Sequence, residues 1–203
     1  MTNKIITISR EYGSGGRTVG SLVAKRLGIP FYDKEMVDAM AQECGFSRDF
    51  IEEIGEYASV TNSFLFSIAV SSRMEGTTNL LSAADQLYAC QANYIRELAQ
   101  KGPCVIVGRC ADYILRERTD VLNAFIYADM DFRARHMAEV YDKPENAVPK
   151  WLKEKDSRRK VYYKHYTGRS WGDPHNYDVC LCTSQLGIEN AAAMLASLVE
   201  GME

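Results

Sequence analysis

The sequence has no stretch approaching the roughly 18 consecutive apolar residues that a membrane-spanning helix needs. No membrane-spanning helix is therefore expected. It also lacks any C-x-x-C and any Cys/His spacing of the kind that holds zinc. Its six cysteines, Cys44, Cys90, Cys104, Cys110, Cys180 and Cys182, mostly sit in apolar runs, where a reduced thiol behaves as a small hydrophobe. Reduced core thiols are expected rather than disulfides. Charge of one sign is also missing. A formal net charge of −3 gives no global field for a nucleic acid polymer or an anionic membrane, so local arginines must meet any polyanion. Histidine is scarce, and His136, His165 and His175 form no ligand or base pattern. No repeat and no low-complexity linker divides the chain. The N-terminus lacks the apolar core of a signal peptide, which points to the cytoplasm. A chain of 203 residues suffices for one cored domain with an inserted lobe.

What is present is a series of short, continuously apolar runs: Lys4–Ser9, Pro30–Tyr32, Cys104–Gly108, Leu122–Ala128 and Asp178–Cys182. Continuous rather than alternating hydrophobicity predicts strands buried on both faces, as in a parallel sheet. Helical patterns lie between them. Gly16–Leu27 puts Val19, Leu22, Val23 and Leu27 on one side, Asp131–Tyr141 follows an aspartate cap, and Ile188–Val199 closes the chain. Strands separated by helices imply right-handed βαβ units and a doubly wound α/β fold.

Two excursions break that rhythm. Residues 34–101 read as several helices without a strand, including Asp38–Gly45, Ser47–Tyr57 and a long run from about Leu80 to Gln100. Asn146–Tyr166 is rich in Lys and Arg and reads as a basic helical hairpin before the last strand.

The sharpest motif follows the first strand: Arg10-Glu11-Tyr12-Gly13-Ser14-Gly15-Gly16-Arg17-Thr18. Three glycines let backbone N–H groups approach an anion closely, and the start of a helix adds free donors and the positive end of its dipole. Arg17 stands where a P-loop has its lysine, and Thr18 where it has the hydroxyl that ligates Mg2+. Gly13, Ser14, Gly15, Gly16, Arg17 and Thr18 are therefore the candidate ATP-phosphate site. The full P-loop pattern would need glycine at position 11 and lysine at 17. Arginine keeps the charge but is longer and forked.

Four stretches together resemble the cytidylate kinase-like family of P-loop kinases: Ile5–Thr18, Ile29-Pro-Phe-Tyr-Asp33, Val105-Ile-Val-Gly-Arg109 and Asn176–Ser184. The resemblance implies a three-layer αβα fold with a five-stranded parallel sheet in one domain. Its core would be 1–33, 102–143 and 176–203, with a helical acceptor-binding insert at 34–101 and a basic helical lid at 144–175. It implies phosphoryl transfer from ATP, with Mg2+ on Thr18, to a small phosphate-bearing acceptor such as CMP or dCMP. Arg17, Arg158 and Arg159 would carry the catalytic charge, Asp33 and Arg109 would bind the acceptor, and Arg133 and Thr183 would flank the adenine. Bacterial relatives carry Asp-Gly-Arg-Asp at the end of the third strand, where this chain has Val107-Gly108-Arg109-Cys110. Asp33, Asp112 or Glu11 would then replace the lost acid near the metal.

Two other readings stay open. One is a kinase of the same fold for a different small molecule, and the other a nucleotide-binding domain without turnover. The aromatics Tyr162, Tyr163, Tyr166, Trp171 and Tyr177 suit packing on the sheet, or on a second copy in a homodimer, better than stacking on a base.

Overall fold

A computed structural model describes residues 4–43, 45–48, 51, 83–141 and 148–201. Five strands form one sheet: β1 (Ile5–Arg10), β2 (Phe31–Tyr32), β3 (Val105–Val107), β4 (Val121–Tyr127) and β5 (Val179–Cys182). Their order is β2-β3-β1-β4-β5, and every pairing is parallel. In register, Ile6 lies opposite Val105 on one side and Leu122 on the other. All six residues of β1 are buried, as expected for the central strand of a sheet covered on both faces.

The helices are α1 (Gly16–Leu27), α2 (Lys34–Glu43), α3 (Ala83–Lys101), α4 (Ala111–Ile114), α5 (Met130–Tyr141), α6 (Val148–Thr167), α7 (Thr183–Leu186) and α8 (Ile188–Glu200). Alternation along the strands divides them into two outer layers. Ile6, Ile8, Val105, Val107 and Ile126 point towards α1 and α8, where Val19, Val23, Leu195 and Val199 complete the core. Ile5 and Ile106 point the other way, onto Ile95, Leu98, Ile114, Tyr162 and Tyr163 from α3, α4 and α6. α1 begins and ends on glycines in the left-handed region, Gly15 (φ 77°) and Gly28 (φ 65°), and Gly28 returns its N–H to the Ala24 carbonyl. Gly20 lets α1 approach the sheet: a Cβ there would lie 3.0 Å from the Phe31 ring and 3.1 Å from Ile8.

Three sequence expectations change. The basic hairpin is one twenty-residue helix, α6. Nothing between Val148 and Thr167 breaks it, and Pro149 sits in its first turn, where a missing N–H costs nothing. Cys90 is disulfide-bonded, against the expectation of reduced thiols, and its partner lies outside the described residues; Cys104, Cys110, Cys180 and Cys182 are free. Within the insert, α2 starts at Lys34 rather than Asp38. The helix expected at Ser47–Tyr57 lies outside the described residues except for 47, 48 and 51, where Ile51 donates to the Ser47 carbonyl at 3.1 Å. Among the described residues no helix is long and apolar enough to cross a membrane.

Candidate active site

The loop from Arg10 to Gly16 is held by its own carbonyls, four of them bonded from outside the loop and one from within it. Arg159 donates to the Arg10 carbonyl at 2.7 Å, and the Ser14 hydroxyl donates to that of Glu11 at 2.9 Å. Arg133 Nε donates to Tyr12 at 2.7 Å. His136 Nδ1 lies 3.0 Å from the Gly13 carbonyl oxygen, which fixes the proton on that nitrogen because a carbonyl only accepts. Thr183 Oγ1 donates to Ser14 at 2.7 Å. Five consecutive carbonyls thus face protein donors. The N–H groups of Gly13, Gly15, Gly16 and Thr18 make no hydrogen bond to protein among the described residues. Gly13 (φ 83°) and Gly15 (φ 77°) supply the left-handed turns this arrangement requires. The result is a concave row of donors at the start of α1, suited to an anion.

A buried ionic cluster underlies the loop. Arg133, only 3% exposed, is paired with Asp156 of α6 and lies 3.2 Å from Glu11. Asp156 accepts the Tyr12 N–H at 2.8 Å, and Glu11 accepts the Ala128 N–H at 3.2 Å. Burial raises the Glu11 pKa, while Arg133 pulls it down. Two helices therefore grip both polar groups of Tyr12.

At the mouth, Arg17 is largely exposed and paired with Asp33, with Nε 2.8 Å from Oδ2. Asp33 also accepts the Met36 N–H at 3.3 Å, capping α2. Thr18 is exposed on the same first turn. Among the described residues no group of three or more His, Cys, Asp or Glu is placed to hold a metal. A hydroxyl and one carboxylate beside a phosphate nest nevertheless fit Mg2+, which takes few protein ligands and completes its shell with phosphate oxygens and water. The other two acids weighed for this task are committed elsewhere, Glu11 to Arg133 and Asp112 to Tyr163.

A second concavity opens where β1 and β3 end. Arg10, Arg109 and Arg159 converge there with Tyr162, Tyr163 and Trp171. Arg109 follows Gly108 in a run of positive φ, 80°, 56° and 55° through Cys110. Two non-glycine residues in that region are costly, and the turn carries the guanidinium inward to pair with Asp38 of α2. Arg109 is 2% exposed and Arg159 4%. Behind the cleft, Tyr163 donates to Asp112 at 2.6 Å. Burial pushes the Asp112 carboxyl pKa up, with the Tyr163 bond opposing.

The sequence-predicted residues separate into groups. Gly13–Thr18, Arg17 and Asp33 come together at the loop mouth, and Arg109 and Arg159 meet in the cleft. Arg158 joins neither: it pairs with Glu154 on its own helix. Arg133 and Thr183, expected at the adenine, are instead buried behind the loop with their donors on its carbonyls. In this structure α6 lies against the core, where Asp156, Arg159 and Tyr163, one helical stripe, each make a hydrogen bond. Arg10, Asp38 and Asp156 were missed. Arg10 had a visible signal, a cation at the carboxyl end of a central parallel strand, the rule that singled out Arg109.

Comparison with known proteins agrees with this architecture. The chain is similar over 98% of its length to an uncharacterized protein from Eubacterium ventriosum ATCC 27560, at 28% identity and a TM-score of 0.75, covering 99% of that chain. A gluconokinase from Sinorhizobium meliloti 1021 is similar at 17% identity and a TM-score of 0.56, with 99% of this chain and 96% of that one covered. A shikimate kinase from Bacteroides thetaiotaomicron follows at 15% identity and a TM-score of 0.53, with coverage of 97% and 98%. At such identities the last two show a shared P-loop kinase fold. No curated protein matches the sequence. The model of the cytidylate kinase-like family matches residues 5–185, nearly the whole described core, and the chain belongs to that family.

Proposed function

We propose that this protein transfers the terminal phosphoryl group of ATP to a small anionic acceptor, of the nucleoside monophosphate class represented by CMP or dCMP. The observation that supports this most is that the N–H groups of Gly13, Gly15, Gly16 and Thr18 at the start of α1 have no protein acceptor among the described residues, while the carbonyls of residues 10 to 14 are taken by protein donors, which leaves those amides for a triphosphate. Phosphoryl transfer asks little covalent chemistry of the protein. It needs donor and acceptor in line and positive charge around the moving group. In this reading Gly13–Thr18 bind the ATP phosphates, Arg17 supplies charge at the mouth, and the Arg10–Arg109–Arg159 cleft receives the acceptor's anionic group. Thr18, with Asp33 near it, would hold Mg2+, which would neutralise charge on the phosphates when bound. The aromatic cleft wall excludes water.

A second reading has one observation in its favour. Asp33 is a carboxylate at the mouth of the phosphate loop, where an alcohol acceptor would have to lose its proton. A phosphate acceptor needs no such base. The deciding experiment is an ATP-consumption screen with Mg2+ over nucleoside monophosphates, hydroxy acids and sugar acids, with Arg17→Ala as control. Turnover with a nucleoside monophosphate, lost in the control, supports the first reading. Turnover only with an alcohol supports the second, and ATP binding without any turnover rejects both.

A further inference from the structure

We infer that Arg133 and Thr183 are positioning residues that aim the anion-binding amides, and that neither contacts the nucleotide base. The inference rests on the phosphate-loop reading above and deepens it. In a trans peptide the C=O and the N–H point in opposite directions. The Tyr12 carbonyl and the Gly13 N–H share one peptide plane, and the Ser14 carbonyl and the Gly15 N–H share another. Whatever fixes each oxygen therefore fixes the amide on the far side.

Arg133 Nε takes the first oxygen at 2.7 Å, and Thr183 Oγ1 takes the second at 2.7 Å. Both donors are placed from outside the loop. Thr183 is 0% exposed at the start of α7, and Arg133 is held by Asp156 of α6. Flanking glycines have the widest choice of backbone angles, so the loop itself fixes these planes weakly and outside donors must do so. Gly13 and Gly15 gain the freedom to bend, and two buried side chains remove it again, leaving a preorganised set of donors.

This separates the two residues from a base-contact role by measurement. Thr183→Val keeps the shape and removes the donor. It should weaken both ATP and inorganic tripolyphosphate, a ligand with no base, by a similar factor of about five, the worth of one hydrogen bond. Thr183→Ser should restore both. A base-contact role instead predicts loss for ATP alone. Should Thr183→Val fail to fold, the wild-type protein carries the test: in a 15N-edited spectrum, tripolyphosphate should shift the Gly13 and Gly15 amides downfield. Unchanged tripolyphosphate affinity in Thr183→Val, or unmoved Gly13 and Gly15 amides in a wild type that binds it, overturns this inference alone. A wild type that binds neither ligand overturns the phosphate-loop reading as well.

Discussion

Arg17 and Asp33 are joined by a short ion pair, with NH2 2.6 Å from Oδ2, between the first turn of α1 and the end of β2. Arg17 stands in the sequence where a P-loop has its lysine, and its guanidinium is turned onto Asp33. That geometry makes Asp33→Asn informative. A phosphate acceptor is already deprotonated and needs no base, so the variant's turnover should recover as Mg2+ is raised to fill the weakened metal site, with ATP affinity changed through the released Arg17. An alcohol acceptor would lose about 10²–10⁴-fold in kcat with its base. Steady-state kinetics on whichever acceptor emerges from the screen separates the two outcomes.

Gly16 stands directly against β1. A Cβ there would sit 2.5 Å from Arg10 Cβ and 3.3 Å from Ile126 Cβ, and neither atom is the loose end of a side chain. Gly16→Ala should therefore push helix and strand apart and cost about 1–3 kcal/mol, with loss of ATP binding. Gly28→Ala is the control, since a Cβ there meets nothing within 4 Å. It should cost about 1–2 kcal/mol from the left-handed backbone alone and leave ATP affinity intact. Urea unfolding and nucleotide titration of both variants check this.

The strands and α1 were legible because their signals are local. Buried parallel strands are continuously apolar, and α1 is bracketed by glycines that the chain needs for positive φ. α6 was harder. Its inward polar stripe is Asp156, Arg159 and Tyr163, whose buried side chains bond the core, with Thr167 bonding back to the Tyr163 carbonyl of the same helix. A search for apolar periodicity passes over such a stripe, and the lysines around it read as a solvated surface. The same blindness hid Asp156, which with Glu154 is one of two acids among cations in that stretch and becomes the counter-ion of Arg133 only when α5 and α6 meet. Arg109 was legible as a cation past a strand end, but not its partner Asp38, which α2 brings from a stretch of unremarkable helix.

Asp156 ties α6 to the phosphate loop through two partners at once, the Arg133 guanidinium and the Tyr12 N–H. Asp156→Ala would leave Arg133 buried with Glu11 as its one acidic partner among the described residues. Removing one member of a buried pair costs about 3–5 kcal/mol, and the lower end applies because Glu11 remains. Asp156→Asn keeps an acceptor for the Tyr12 amide and should lose less. Both should weaken tripolyphosphate binding, since the Tyr12 peptide loosens. Urea midpoints together with ligand titrations test the ranking.

Asp112 supplies a pH signature. It is 4% exposed, Tyr163 donates to one of its oxygens, and the other, Oδ1, has no hydrogen-bond partner among the described residues. Burial accordingly raises its pKa in the folded state above the ordinary aspartate value. The folded chain then binds this proton more tightly than the unfolded chain does. Stability falls as pH climbs from about 3.9, the unfolded value, through the raised folded value, and is flat beyond it. Asparagine at this position cannot ionise and still offers an oxygen to Tyr163. The difference in unfolding free energy between Asp112→Asn and wild type should therefore shift in favour of the variant as pH rises through that window, and then level off. Urea unfolding of both proteins across a pH series measures it. A difference that stays constant with pH would mean Asp112 is as free to ionise in the fold as in the open chain, and that its buried environment behind the arginine cleft is not what the structure shows.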